Sequence, residues 1–247
     1  MIARLLLVAT ATLALVAPAA AQDFAITNAT VATGDGSAPV ENATVVVQNG
    51  RVVAAGAGLA TPAGVEVIDG SGKWVTPGIF SAITTLGLVD VDGVSESNDT
   101  SAGRSPFSAA LDVAPAINPA SQQLLVARAD GITRASIAPQ PASGIFGGQG
   151  AVIDLGADAE PITKARAFQI VALGETGARL GGGGRTGTYA WLDNALHEAQ
   201  AYAAGRWSGE DAELTRADAA ALGPVVSGKQ ALYVHVERAS DIRSTLA

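Results

Sequence analysis

The sequence predicts an α/β chain in two parts: a small antiparallel β module over residues 22–76, then strands alternating with helical segments over residues 77–247. Three observations predict it. The stretch from Phe24 to Val75 holds short β-branched runs broken by Gly, Asn and Asp turns. Beyond Pro77-Gly78, short apolar runs are separated by segments with helical spacing, the pattern of a parallel sheet with crossovers. Hydrophobic residues make up 48% of the chain but aromatics only 4%, and Ala, Val and Gly supply much of the apolar count, so the core is expected to be built from small side chains.

Composition excludes several chemistries. With 15 Lys and Arg against 23 Asp and Glu, the net charge is −8, the wrong sign for a surface that meets phosphates. The absence of Cys removes disulfides, a thiolate nucleophile and Cys-ligated zinc. Two His, His197 and His235, are few for a multi-ligand metal site.

Residues 1–21 read as an address rather than as part of the fold. Arg4 is followed by the apolar run Leu5 to Val16, and Ala19-Ala20-Ala21 fits the small-x-small cleavage rule, with the cut before Gln22. A retained membrane anchor is the alternative, but the apolar run falls short of the roughly 20 residues that span a bilayer. The mature protein is therefore expected to be secreted or periplasmic and free of the membrane.

In the β module, Phe24 to Ala32 alternates, Gly34-Asp35-Gly36-Ser37 turns, and Thr44 to Gln48 is a continuous apolar strand. Asn49-Gly50 is a type I′ hairpin signal leading into a strand from Arg51. Val65 to Asp69 and Trp74-Val75 are two further short strands. In the second part, Ile79 to Leu86 is an apolar strand and Asp90 to Phe107 a long polar loop. Ser121 to Asp130 is a helix with Gly131 at its C′ position. Ile132 to Ala138, Ala151 to Leu155, Phe168 to Leu173 and Leu232 to Glu237 read as strands, and Gly144 to Gly150 as a tight βα connection. Gly181 to Gly184 reads as a mobile loop. Thr188 to Ala204 is an amphipathic helix, Gly209 to Leu222 a second that ends before Gly223-Pro224, and Ser240 caps a last helix running to Ala247.

Several motifs carry a bland explanation. His197-Glu198 lacks the second His of a zinc-protease helix, since position 201 is Ala, and reads as a surface pair. The Gly144–Gly150 run fits neither nucleotide fingerprint, and Gly-x-Ser-x-Gly does not occur. Asp90, Asp92, Glu96 and Asp99 form an acidic loop, read as solvated.

The segment Gly72 to Gly87 resembles the amidohydrolase superfamily, in particular its imidazolonepropionase-like branch. There a small β module leads through a Pro-Gly step into the first strand of a metal-dependent barrel, which ends in an Asp-x-His-x-His motif. Asp112 to Pro119, Gly131 to Ala135, Gly147 to Gly150, Ala172 to Glu175 and Val234-His235 resemble later family segments in the same order. The resemblance implies an incomplete TIM-like (β/α)8 barrel preceded by a small antiparallel β-sandwich module. It also implies hydrolysis of a non-peptide C–N bond, in an amide or cyclic amide, with a divalent metal such as zinc. The span after Pro77 is shorter than the roughly 250 residues a full barrel takes. A truncated chain is the first expectation, and a natural short form with its open edge filled by a partner is the second.

The departures matter as much as the match. Two His at i and i+2 share one strand face and grip one metal. At the corresponding positions this chain has Ile83 and Thr85, and Ser81 replaces the usual Asp. By resemblance His235 is the surviving candidate ligand, with Glu237 sharing its strand face, and Glu175 lies near the family's metal-bridging carboxylate. A metal-free polar pair at the barrel mouth is the alternative, and no catalytic residue is assigned. Three functions remain open: a hydrolase with an altered metal site, a non-catalytic homologue acting as a partner subunit or oligomer, and a periplasmic binder of a small-molecule ligand.

Overall fold

The computed structural model describes residues 22–91, 93–156 and 159–246. The leader-like segment, Asp92 of the acidic loop and Ala247 of the last predicted helix lie outside them. The chain divides after Pro77 into two units.

The first unit is a five-stranded sheet in the order β3-β2-β1-β4, with β5 also on β1. The strands are β1 (Phe24–Val31), β2 (Val40–Gln48), β3 (Arg51–Ala57), β4 (Glu66–Asp69) and β5 (Trp74–Val75). Asn49 and Gly50 both take positive φ, 51° and 70°, as a type I′ turn requires, and join β2 to β3. The sheet is antiparallel from β1 to β3 and takes β4 and β5 parallel to β1. The small core of Ala29, Val31, Ala43 and Val45 matches the composition. At the turn before β2, Asp35 accepts from the Thr33 hydroxyl at 2.8 Å and from Ser37 N–H at 2.9 Å. The Ser37 hydroxyl and N–H, with the Thr33 hydroxyl, hold the Asp35 carboxyl down at about 2.

The second unit is a curled five-stranded sheet in the order β10-β9-β8-β7-β6. Its strands are β6 (Ile79–Thr84), β7 (Ile132–Ile137), β8 (Phe146–Asp154), β9 (Ile162–Ala172) and β10 (Ala231–His235). Its helices are α1 (Gln122–Ala129), α2 (Glu175–Leu180), α3 (Arg185–Ala203), α4 (Arg216–Val226) and α5 (Ala239–Leu246). β6–β7 and β9–β10 pair parallel, across connections that contain helices.

The middle of the sheet departs from the parallel layout. β8 runs antiparallel to both β7 and β9, because the link from Ala138 to Ile145 holds no crossover helix. The glycines expected in a tight βα turn therefore lie largely within β8. They are there for clearance: a Cβ on Gly150 would sit 2.1 Å from the Phe168 ring, and one on Gly147 2.4 Å from the Pro139 carbonyl. Helix α4 also departs from expectation, starting at Arg216 and running through Gly223 and Pro224. A proline in the last turn is tolerated where the displaced carbonyl can reach solvent, and Ala220 is exposed. Strand β10 ends at His235, so Glu237 lies beyond the strand, and Ser240 falls inside α5 rather than capping it.

Two clusters fill the helix-facing side of this unit. Leu124 and Ala127 of α1 pack with Ala135, Ile137, Ala151 and Ile153. Ala195, Ala199, Ala219 and Leu222 of α3 and α4 pack with Phe146, Val171 and Leu173. Small helix residues let the backbones come close to the sheet, which is the use of the Ala-rich composition.

Two buried carboxylates tie the helices down. Asp218 is 2% exposed, and its Oδ1 accepts from Ser108 N–H at 2.9 Å and Ala110 N–H at 2.8 Å. Its Oδ2 accepts from the Thr215 hydroxyl at 2.7 Å, while that oxygen caps α4 by accepting from Asp218 N–H. Gln169 of β9 then donates to the Ala109 carbonyl at 3.1 Å, so one loop is held by both helix and sheet. Asp241 of α5, 5% exposed, accepts from Arg185 Nε at 3.0 and 3.1 Å and docks α5 on the start of α3.

Two outcomes are expected. Asp218→Ala leaves buried N–H groups without an acceptor and costs about 3 kcal/mol in urea unfolding, with Asp218→Asn costing about half as much. Asp35, whose folded pKa is depressed from 3.8 to about 2, contributes stability above about pH 4 that is lost as pH falls through about 2. The stability gap between the wild type and Asp35→Ala, followed by thermal unfolding against pH, therefore closes over that window.

Candidate functional site at the strand ends

A cavity of about 480 Å³ lies at the C-terminal ends of four strands of the second unit. Ile83, Thr84 and Thr85 enter it from the end of β6, and Ala138 to Pro141 from just past β7. Ile170 and Ala172 of β9 and His235 of β10 form the opposite wall, and Thr176 and Arg179 of α2 complete it. Parallel strands leave their C-terminal ends on one side of a sheet, where the following loops gather side chains from distant parts of the sequence. The parallel register pairs His235 with Ala172 and Tyr233 with Ile170, which puts both on the cavity face. Tyr233 extends that face by stacking on Phe168, with ring centroids 4.2 Å apart.

The structure thus brings Ile83, Thr85 and His235 into one cavity, although 150 residues separate Thr85 from His235. Glu237 stays near His235 despite lying outside the strand: Oε1 is 3.6 Å from His235 Nδ1, a charge pair when the imidazole is protonated. Its Oε2 accepts from Glu175 N–H at 2.9 Å. Gly174 makes room for this carboxylate, since a Cβ there would lie 1.6 Å from Oε2. The Glu175 side chain goes elsewhere. Its carboxylate is 3.7 Å from Arg238 Nη2, on the surface, and it does not line the cavity.

The other motifs fall away from this site. His197 is exposed on α3, with Nδ1 2.9 Å from the Asp193 carbonyl one turn earlier. In the acidic loop, Asp90 accepts from the Asn118 amide and Glu96 from the Ser95 hydroxyl.

A catalytic zinc takes three protein ligands in most known sites. Here His235 offers one imidazole and Glu237 one carboxylate already bound to a backbone N–H. Among the described residues no group of three His, Cys, Asp or Glu comes together. Ile83 cannot ligate a metal and Thr85 is a weak neutral donor. Among the described residues, the side chains present do not complete the metal centre that the resemblance implies.

Sequence inspection missed Thr176, Arg179 and Gln140 as cavity residues. A signal was present in part: Thr176 and Arg179 stand three apart, so a helix starting at Glu175 sets them on one face. The chain link that carries Gln140 to the site, the non-helical turn from β7 to β8, has no such periodicity.

Comparison with known proteins agrees with this architecture. No family model matches the chain. The crystal structure of an amidohydrolase from Thermotoga maritima MSB8 superposes with a TM-score of 0.77 at 26% identity, covering 90% of this chain and 60% of that one. A dihydroorotase of Trichlorobacter lovleyi is 63% identical over 36 residues, which are 15% of this chain and 8% of that protein. The chain thus spans less than two thirds of the length of these relatives.

Gly174→Ala is expected to push the Glu237 carboxylate off the Glu175 N–H. Because Glu237 is part-exposed, the cost is about 1 kcal/mol, read by urea unfolding and absent when Gly174→Ala is made in a Glu237→Ala background.

Proposed function

The chain belongs to the amidohydrolase superfamily, and on that premise we propose that it is an exported member whose strand-end cavity receives a small amide or cyclic amide. Its activity is hydrolysis of a non-peptide C–N bond, and its metal site is altered from the paired-imidazole form. The observation that carries this is the meeting of Ile83, Thr85 and His235 at the strand C-termini, the place where this type of fold keeps its chemistry. Hydrolysis of an amide requires water to add to the carbonyl carbon and a proton to reach the leaving nitrogen. Thr85, Gln140 and Thr176 line the cavity with groups that donate to a carbonyl oxygen. His235 is the cavity-lining side chain of the type that most readily takes and returns a proton near neutral pH. Export rests on the leader-like residues 1–21.

A second function, a non-catalytic homologue that binds the amide or joins a partner subunit, is favoured by Ile83 alone: an apolar branched side chain stands where a first-strand ligand would be.

Metal analysis and turnover separate them. Dialysed against zinc at equal concentrations, the wild type is expected to retain well under one ion per chain, and an Ile83→His/Thr85→His variant about one. Turnover of cyclic amides by the wild type, lost in His235→Ala, supports the hydrolase. Binding without turnover supports the homologue. Stoichiometric zinc in the wild type that is indifferent to His235→Ala overturns the altered-site proposal.

A further inference from the structure

We infer that the second unit holds a separate binding site between α4 and the sheet, shaped for a small 2-hydroxy carboxylate with an apolar body. A cavity of about 500 Å³ opens there, lined by Gln149 of β8, Arg166 of β9, one face of α4, and Lys229 and Gln230 just ahead of β10. Arg166 lies in the first half of β9, so this cavity sits toward the N-terminal ends of β9 and β10. It shares no residue with the strand-end cavity.

Three observations on different elements point to a ligand. First, Gln149 is 6% exposed, yet its carboxamide takes no hydrogen bond among the described residues. In the antiparallel register it stands opposite Gln169, whose side chain reaches the Ala109 carbonyl, so both lie on the helix side of the sheet. A buried amide without a partner is costly unless something polar occupies the space it faces. Second, Arg166 takes φ 48°, in the left-handed region that a long side chain rarely adopts. It sits in a bulge: Gly150 and Val152 of β8 pair with Phe168 and Lys164, so three residues of β9 stand opposite one of β8. Gln230 holds this strained residue, donating from Nε2 to the Arg166 carbonyl at 2.8 Å. Third, Lys229 makes no ion pair among the described residues. The end of α4 carries it to the cavity. Gly228 takes φ 69°, and the Gly228 and Lys229 N–H groups donate to the Val225 and Pro224 carbonyls, a Schellman closure.

The groups present define the ligand. Arg166 Nε is committed to Asp112 Oδ2 at 2.7 Å, which leaves the outer guanidinium nitrogens free. Arg166 and Lys229 against Asp112 leave one net positive charge, and no Asp or Glu lines the cavity. A single carboxylate matches that charge and accepts from guanidinium and ammonium together. A hydroxyl on the adjacent carbon gives the Gln149 carboxamide the partner it lacks. Ala217, Ala221 and Pro224 of α4 form the apolar wall, and their small side chains leave room for a ring.

Mandelate, phenylacetate and mandelamide test this on the full chain by titration calorimetry. All three carry a phenyl ring; phenylacetate lacks the hydroxyl and mandelamide lacks the charge. Mandelate is expected to bind about tenfold more tightly than either. Gln149→Leu, close in volume, removes the preference over phenylacetate and keeps that over mandelamide. Lys229→Gln, at an exposed position, removes most of the preference over mandelamide. Arg166→Gly does the same without lowering the thermal unfolding midpoint, because Gly adopts φ 48° without strain. Ile83→Trp, which fills the strand-end cavity, leaves mandelate binding unchanged. If Gln149→Leu does not fold, the exposed Lys229 and Arg166 variants decide the matter. No binding of mandelate, equal affinities for the three probes, or a preference that survives both Lys229→Gln and Arg166→Gly overturns the site. Loss of mandelate binding in Ile83→Trp overturns it too, because the ligand then sits at the strand ends.

Discussion

The bare backbone at Gly150 is the constraint on which the second unit depends. The Phe168 ring of β9 lies directly over it, and any side chain at position 150 would overlap that ring. Only because β8 is bare there can it pair with β9 while Phe168 turns to the cavity face, where it stacks on Tyr233 of β10. That stacking accompanies the parallel register of β9 and β10, which sets His235 beside Ala172 at the strand ends. Further along β9, Gln169 points to the other face and holds the Ala109 carbonyl, on the loop that Asp218 also grips. One strand thus joins the helix layer to the cavity layer.

The cavity inherits its chemistry from this frame. Strand ends contribute the apolar Ile83, Ile170 and Ala172 together with Thr84 and His235, and the link after β7 and the short helix after β9 add Gln140, Thr176 and Arg179. Positions 83 and 85 place an isoleucine and a threonine at the cavity, and the rest of the lining adds hydrogen-bond donors and one guanidinium. Glu237 shows how a carboxylate can sit beside an imidazole without being free: its second oxygen is held by a backbone N–H, and Gly174 leaves no alternative side chain in its path.

Features that depend on a few neighbouring residues were legible from the sequence. The Asn49-Gly50 hairpin is one, because positive φ at two successive positions is a local demand. The helix at Gln122–Ala129 with Gly131 beyond it is another, as is the amphipathic run of α3. Where local chemistry and tertiary packing disagreed, the sequence misled. Gly-rich residues before Ala151 look like a turn, yet they are strand residues stripped of side chains to admit Phe168 and the Pro139 backbone. The Gly223-Pro224 pair looks like a stop, yet α4 runs through it because Pro224 falls in the last turn, where the carbonyl it displaces, that of exposed Ala220, can reach solvent.

For the site, the sequence alone determined the identities that matter: Ile83 and Thr85 at i and i+2, His235 far downstream, and the order of segments shared with the amidohydrolase superfamily. Those follow from covalent spacing and need no fold. It could not determine which polar groups would face them. That Arg179 lines the cavity while Glu175, four residues earlier, turns to Arg238 was decided by the docking of α2 against β9. That Glu237 remains with His235 outside the strand was decided by one backbone N–H at Glu175. Periodicity fixes which side chains share a face, but only packing against neighbouring strands decides what that face meets.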